Sequence, residues 1–211
     1  MADAALITYM DIPAGIEAEF NDWYTNEHVA ERVDLPNFRS AYRFVALDGA
    51  PKYFAYYETD GLEALTTPTY RAILANQSDW SKRVMAQFGN FGRMCGPLIA
   101  RRGRGHGGMA LVLRVDGVVG GDDGLDVWLT ELLETAVAAP LVVGGYLWRA
   151  NAEATGDAAV AGRRILAIEA LDEATLRTLA AEHLRPAALA AAGAKRDAAV
   201  GFYRLISFME K

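Results

Sequence analysis

Two adjacent side chains suited to proton transfer, Glu27 and His28, stand in the string Trp23-Tyr24-Thr25-Asn26-Glu27-His28. An imidazole titrates near the working pH of a cell, and a neighbouring carboxylate can orient it or serve as its acid partner, which is the equipment of general acid–base catalysis. Placed on a helix that starts at Ile16, with about 100° per residue, Phe20, Trp23, Glu27 and Ala30 share one stripe. This predicts Glu27 in the middle of the face turned to a sheet, where a carboxylate must find a partner or take up a proton, and His28 on the flank beside Tyr24. Arg43 offers a guanidinium that can neutralise an enolate or carboxylate. Tyr9, Tyr53 and Tyr56, together with Trp23 and Tyr24, supply rings and hydroxyls for a flat, largely apolar or aromatic ligand. The same residues also admit a structural reading. Glu27 can pair with Arg43, Arg39 or Arg32, His28 can cap a solvated flank, and aromatics in strands are commonly core.

The elements that carry these residues occur twice. Asp11 and Trp23 recur as Asp116 and Trp128 at an offset of 105, and Tyr42 recurs as Tyr146 at 104. Glu58 and Phe91-Gly92-Arg93-Met94 recur as Glu169 and Phe202-Tyr203-Arg204-Leu205 at 111, which leaves a seven-residue insertion at Ala150 to Gly162. Offsets held through whole elements are the signature of duplication. Residues 1–102 form the first unit, 103–108 a glycine-rich flexible linker and 109–211 the second, degenerate unit. In the second unit Leu132 and Leu133 replace Glu27 and His28, Arg114 replaces Tyr9, and Arg164 and Ala167 replace Tyr53 and Tyr56. The fold does not need the polar pair, so the candidate site belongs to the first unit.

Each unit is predicted as strand, helix, strand, strand, helix, strand. The first has strands at 5–10, 38–47, 53–58 and 91–100, a helix over 16–33, and helical pieces at 61–75 and 78–88. The second has strands at 109–115, 142–149, 164–170 and 200–209, with helices over 125–138 and 173–192. A βαββαβ unit is a ferredoxin-like antiparallel sheet with helices on one face. The bare faces of two such sheets must be covered, and the other copy is at hand, which predicts an α+β fold closed as an intramolecular α/β barrel.

Composition excludes several classes. The net charge of −6 is spread along the chain, which gives no footprint for nucleic acid. No apolar run reaches membrane-spanning length and the N-terminus lacks the pattern of a signal peptide, so the expected address is the cytoplasm. The single Cys95 rules out an internal disulfide, and three scattered histidines are a poor set for a metal, so neither metal nor cofactor is expected. Gly103-Arg104-Gly105-His106-Gly107-Gly108 fits G-x-G-x-x-G, but a strand follows it where dinucleotide binding needs a helix.

The string Trp23-Tyr24-x-x-Glu27-His28-Val29-x-Glu31-Arg32-x-x-Leu35-Pro36-Asn37-Phe38-Arg39-x-Ala41-Tyr42-Arg43 resembles the first helix and second strand of EthD-like members of the dimeric α/β-barrel superfamily. That resemblance implies a tandem barrel and a range of reactions: cofactor-free monooxygenation, lactone isomerisation, polyketide cyclisation, haem degradation and chlorite dismutation. Fold alone does not choose among them. The expectation is a protein that binds a small aromatic or polyketide-like molecule; if it is an enzyme, it is a cofactor-independent isomerase, cyclase or monooxygenase, with His28 as acid or base, Glu27 as its partner and Arg43 or a tyrosine polarising the oxygen. The alternative is a non-catalytic ligand-binding or stress-response protein. A lesser alternative is haem binding through Glu182-His183, in the half that carries haem in chlorite dismutase-like proteins. A C2 homodimer is the default assembly.

Overall fold

The structure, a computed structural model, describes residues 3–118, 124–195 and 198–211. Eight strands close into one antiparallel barrel. The first half contributes β1 (Ala4–Asp11), β2 (Phe38–Asp48), β3 (Tyr53–Thr59) and β4 (Gly89–Gly103). The second contributes β5 (Met109–Asp116), β6 (Val142–Arg149), β7 (Arg163–Ala170) and β8 (Ala199–Glu210). Around the barrel the order is β1-β3-β2-β8-β5-β7-β6-β4. The first strand of each half pairs with its third and its fourth, and the halves join through β2–β8 and β4–β6. Closure leaves no open sheet edge along these pairs.

Period-two alternation then sorts every strand residue to one of two faces. Ala5, Ile7 and Tyr9 of β1, with Phe54 and Tyr56 of β3, point into the barrel and pack with Tyr146, Trp148 and Tyr203 of the second half. Side chains fill this interior, as eight strands permit. Leu6 and Met10 of β1, with Tyr53, Ala55 and Tyr57 of β3, point outward under the helices.

The predicted helix over 16–33 is not one regular helix. A 3₁₀ turn at Ala14–Ile16 leads into α1 (Glu17–Trp23), then a π-helical turn at Tyr24–His28, then α2 (Val29–Val33). The amide of Val29 donates to the carbonyl of Tyr24, five residues back, where an α-helix would reach four. After a second 3₁₀ turn at Leu62–Thr66 come α3 (Pro68–Ala75), capped by Thr67, and α4 (Asp79–Met85), capped by Ser78.

Across the barrel, α5 (Gly124–Val137) buries Leu132 and Leu133. The insertion forms α6 (Ala152–Thr155) and a 3₁₀ turn at Ala158–Val160. The helix expected over 173–192 is two helices, α7 (Glu173–His183) and α8 (Pro186–Ala191). Pro186 is the reason: its ring and missing amide cannot sit inside a helix but suit a first position.

The linker is also corrected. Far from hanging free, it sends His106 over the end of the barrel, stacked on Tyr42 with ring centroids 4.2 Å apart. Its amide at Gly107 donates to the fully buried carboxylate of Glu169 at 3.0 Å.

Candidate functional site

The π turn decides which side chain reaches the sheet. One wider turn shifts the helical phase, so Glu27 leaves the sheet-facing stripe predicted for it and His28 turns inward, 8% exposed. The carboxylate of Glu27 instead faces α4, where Oε1 accepts from Ser78 Oγ at 2.5 Å, Ser81 Oγ at 2.8 Å and Trp23 Nε1 at 3.2 Å. Burial works to raise its pKa, yet these three donors outweigh it and hold the acid below its ordinary value. Glu27 thus ties the π turn to the cap of α4. The expected pairing with His28 is not made, and neither is the alternative ion pair with Arg43, Arg39 or Arg32.

His28 packs its ring against Trp23 and Tyr24, with centroids at 4.3 and 4.8 Å. Its Nδ1 is buried and has no hydrogen-bond partner. An orphaned buried nitrogen is uncommon and demands an explanation. Burial, then the positive charges of Arg32 and Arg43, push its pKa well below the usual histidine value, so the ring is neutral at physiological pH.

His28 lines a cleft between the helices and the outer face of β1, β3 and β4. The cleft floor carries Thr8, Tyr57 and Arg93, and Thr8 lies directly opposite Arg93 in the β1–β4 register. Tyr57 donates to the hydroxyl of Tyr24 at 3.0 Å, and that oxygen is 3.4 Å from Thr8 Oγ1. The rim is apolar: Leu74, Met85, Phe88 and Phe91. The enclosed volume is about 60 Å³, enough for a few waters and well short of the several hundred Å³ typical of ligand pockets. A ligand must spread the rim, where Leu74 and Phe91 are already about half exposed.

The remaining sequence-predicted residues divide between the two faces. Tyr24 walls the helix side together with His28, whereas Trp23 does not line the cleft and packs against the ring of His28. Arg43 stands behind Tyr24, its guanidinium 3.8 Å from the centre of that ring, bonded to Asn21 Oδ1 at 2.9 Å and Thr25 Oγ1 at 3.2 Å. It reaches the cleft only through its field, and its own pKa is lowered by burial. Tyr53 lies on the same outer face, donating to Glu17 at 2.5 Å and accepting from Asn21 at 3.0 Å, away from the cleft. Tyr9 and Tyr56 are on the wrong side of the sheet for this site. Tyr9 accepts from Arg163 at 3.0 Å, and Tyr56 donates to Glu169 at 2.7 Å, both in the barrel interior. Alternation was the signal that could have separated them: Thr8 and Tyr57 share a face with Leu6, whereas Tyr9 and Tyr56 oppose it.

The sequence offered the hydroxyl of Thr8 beside Tyr9 and showed Arg93 only as part of the repeat; it gave no sign of Tyr57 and Tyr70 as cleft residues. Nor did it mark a second polar cluster at the barrel end. There His106 Nδ1 sits 3.2 Å from Glu169, and its Nε2 is 2.8 Å from the hydroxyl of Tyr42. Burial drives the phenol of Tyr42 up and that of Tyr56 well up. His183, the haem candidate, lies on the last turn of α7, one-third exposed and 3.8 Å from Glu182. It does not line the nearby groove formed by Leu184, Leu189, Lys195 and Val200.

No family model matches the sequence, and no curated protein matches it. Solved structures do resemble it. An anthrone oxidase-like protein superposes with a TM-score of 0.70 at 10% identity, covering 98% of this chain and 92% of that one. A candidate monooxygenase of Fusobacterium nucleatum subsp. nucleatum gives 0.64 at 12%, covering 100% and 95%. A haem-binding protein of Thermus thermophilus gives 0.53 at 11%, covering 96% and 91%. Identities this low speak for architecture alone: the chain has the closed ferredoxin-like α/β barrel of the monooxygenase-like and chlorite dismutase-like proteins.

Proposed function

We propose that this protein binds a small, largely aromatic molecule in the cleft of its first unit, residues 1–102, and transfers a proton there without a cofactor. The supporting observation is His28: a neutral imidazole, buried in an apolar cleft, with one nitrogen that the protein leaves unbonded. A base in that state accepts a proton only as negative charge develops on the ligand, since a bare imidazolium beside Arg32 and Arg43 is disfavoured. The reaction class is isomerisation, cyclisation or oxygenation of an activated phenol or lactone. The hydroxyls of Tyr24, Tyr57 and Thr8 orient its oxygen. Glu27 is a positioning residue that holds the π turn, and Arg43 contributes positive potential from behind Tyr24. The solved barrels whose names mention monooxygenase and anthrone oxidase chemistry lend the proposal a precedent in fold. The working compartment is the cytoplasm, and the assembly a C2 dimer.

The narrow cleft favours one competing reading, a binding protein without turnover. Aerobic incubation with anthrones, hydroxynaphthalenes and unsaturated lactones, followed by product mass, separates the two. Turnover that drops at least about a hundredfold in His28→Ala supports proton transfer, a loss in the usual range for a general base. Binding with no product from any substrate leaves the non-catalytic reading.

A further inference from the structure

The cleft contains a cation that no acid among the described residues answers, and the other half of the chain holds it in place. Among the described residues that line the cleft, two are arginines and none is Asp or Glu. Arg32 has an acid partner outside, Glu31 at 3.2 Å. Arg93 has none among the described residues. Its guanidinium meets neutral acceptors, the carbonyl of Thr155 at 2.6 Å and the hydroxyl of Tyr70 at 3.2 Å, with the buried thiol of Cys95 beside them. A partly buried guanidinium with spare donors and no carboxylate is completed most favourably by an oxyanion.

Thr155 belongs to the insertion that distinguishes the second unit. Asn151 caps α6 by accepting from the amide of Ala154, and its own amide donates to the carbonyl of Cys95 at 2.8 Å. The hydroxyl of Thr155 accepts from the amide of Cys95 at 3.0 Å. These bonds lay the insertion along β4, two residues from Arg93. The carbonyl at the end of α6 then catches the guanidinium. His28 provides a second, independent sign of a missing partner, because its Nδ1 is buried and unbonded in the same cleft.

We infer that the cleft selects aromatic molecules carrying an anionic oxygen, a carboxylate or a phenolate, that Arg93 reads the charge, and that the insertion at 150–162 positions Arg93. This rests on the ligand-binding reading above and narrows it.

Calorimetry with 1-naphthoate and its uncharged methyl ester tests the carboxylate form directly on the unaltered protein. For the phenolate form, 1-naphthol at neutral pH reports its own ionisation by absorbance. The expected result is naphthoate bound at least about tenfold more tightly than the ester, or naphthol bound with the spectrum of naphtholate. In Arg93→Gln that preference falls to within about twofold while the ester is unaffected, and Asn151→Ala, which loosens α6, weakens it in part. Naphthoate and ester bound alike, with naphthol bound un-ionised, overturns the inference and leaves the proposed function standing. Binding of none of the three overturns both.

Discussion

At the residue scale, the buried ring of His28 links the cleft to the stability of the whole chain. Its pKa is depressed in the folded state, so below its ordinary value of about 6.5 the unfolded chain takes up a proton that the native protein refuses. Stability is therefore intact above about pH 6.5 and declines as pH falls below it. His28→Phe should flatten this decline between about pH 6.5 and 5 in urea melts; parallel curves for the two proteins would refute a buried neutral ring. Glu27→Gln, which keeps the size of the side chain and weakens three hydrogen bonds, should cost roughly 1–3 kcal/mol with ligand binding retained. Glu27 and His28 were legible in the sequence as an unusual pair because the second unit has leucines at both positions. Which of them faces the sheet was not legible, since that depends on a single π-helical turn, which Glu27 ties to Ser78 and Ser81 at the start of α4.

At the element scale, the strands were legible to within a residue or two almost throughout, because alternation and bounding turns mark them. The helices were less so. Pro186 announced the break between α7 and α8 and was read through. The linker misled more seriously, for glycine and arginine suggest solvent and only the folded barrel shows His106 stacked on Tyr42. Gly107 is there for close approach: a Cβ at this position would lie 2.5 Å from the carbonyl oxygen and 2.6 Å from the amide nitrogen of Ala170. Gly107→Ala should therefore lower stability by about 1–3 kcal/mol and open the linker to proteolysis. An unchanged urea midpoint and cleavage rate would mean that the linker is not docked in solution. The insertion teaches the converse lesson. Alanine and glycine gave no hint of function, yet the carbonyl of Thr155 at the end of α6 reaches the first unit and holds the cleft arginine, Arg93.

At the scale of the whole molecule, closure was legible from two βαββαβ patterns and the need to cover two bare sheet faces. The distribution of aromatics between barrel interior and cleft was not, because tyrosine serves equally well in either. Tyr9 and Tyr56 prove to be interior packing, joined by hydrogen bonds to Arg163 and Glu169 of the other half. A fragment of residues 1–102 would expose that interior face together with the free edges of β2 and β4. It should be found associated or unfolded in sedimentation, whereas the whole chain should melt in a single transition; a stable folded monomer of the fragment would refute the dependence of one half on the other.

A ligand site at His28 is tested by the melting temperature of the purified protein across phenols, quinones, lactones, aromatic acids and haemin, with His28→Ala alongside. A ligand at about a hundred times its dissociation constant stabilises by about 2.7 kcal/mol, a shift of about 5–11 °C for a chain of this size. Aromatic acids or phenols should give that shift, diminished in His28→Ala. No shift with any class, or one of equal size in the variant, would contradict a ligand site at His28.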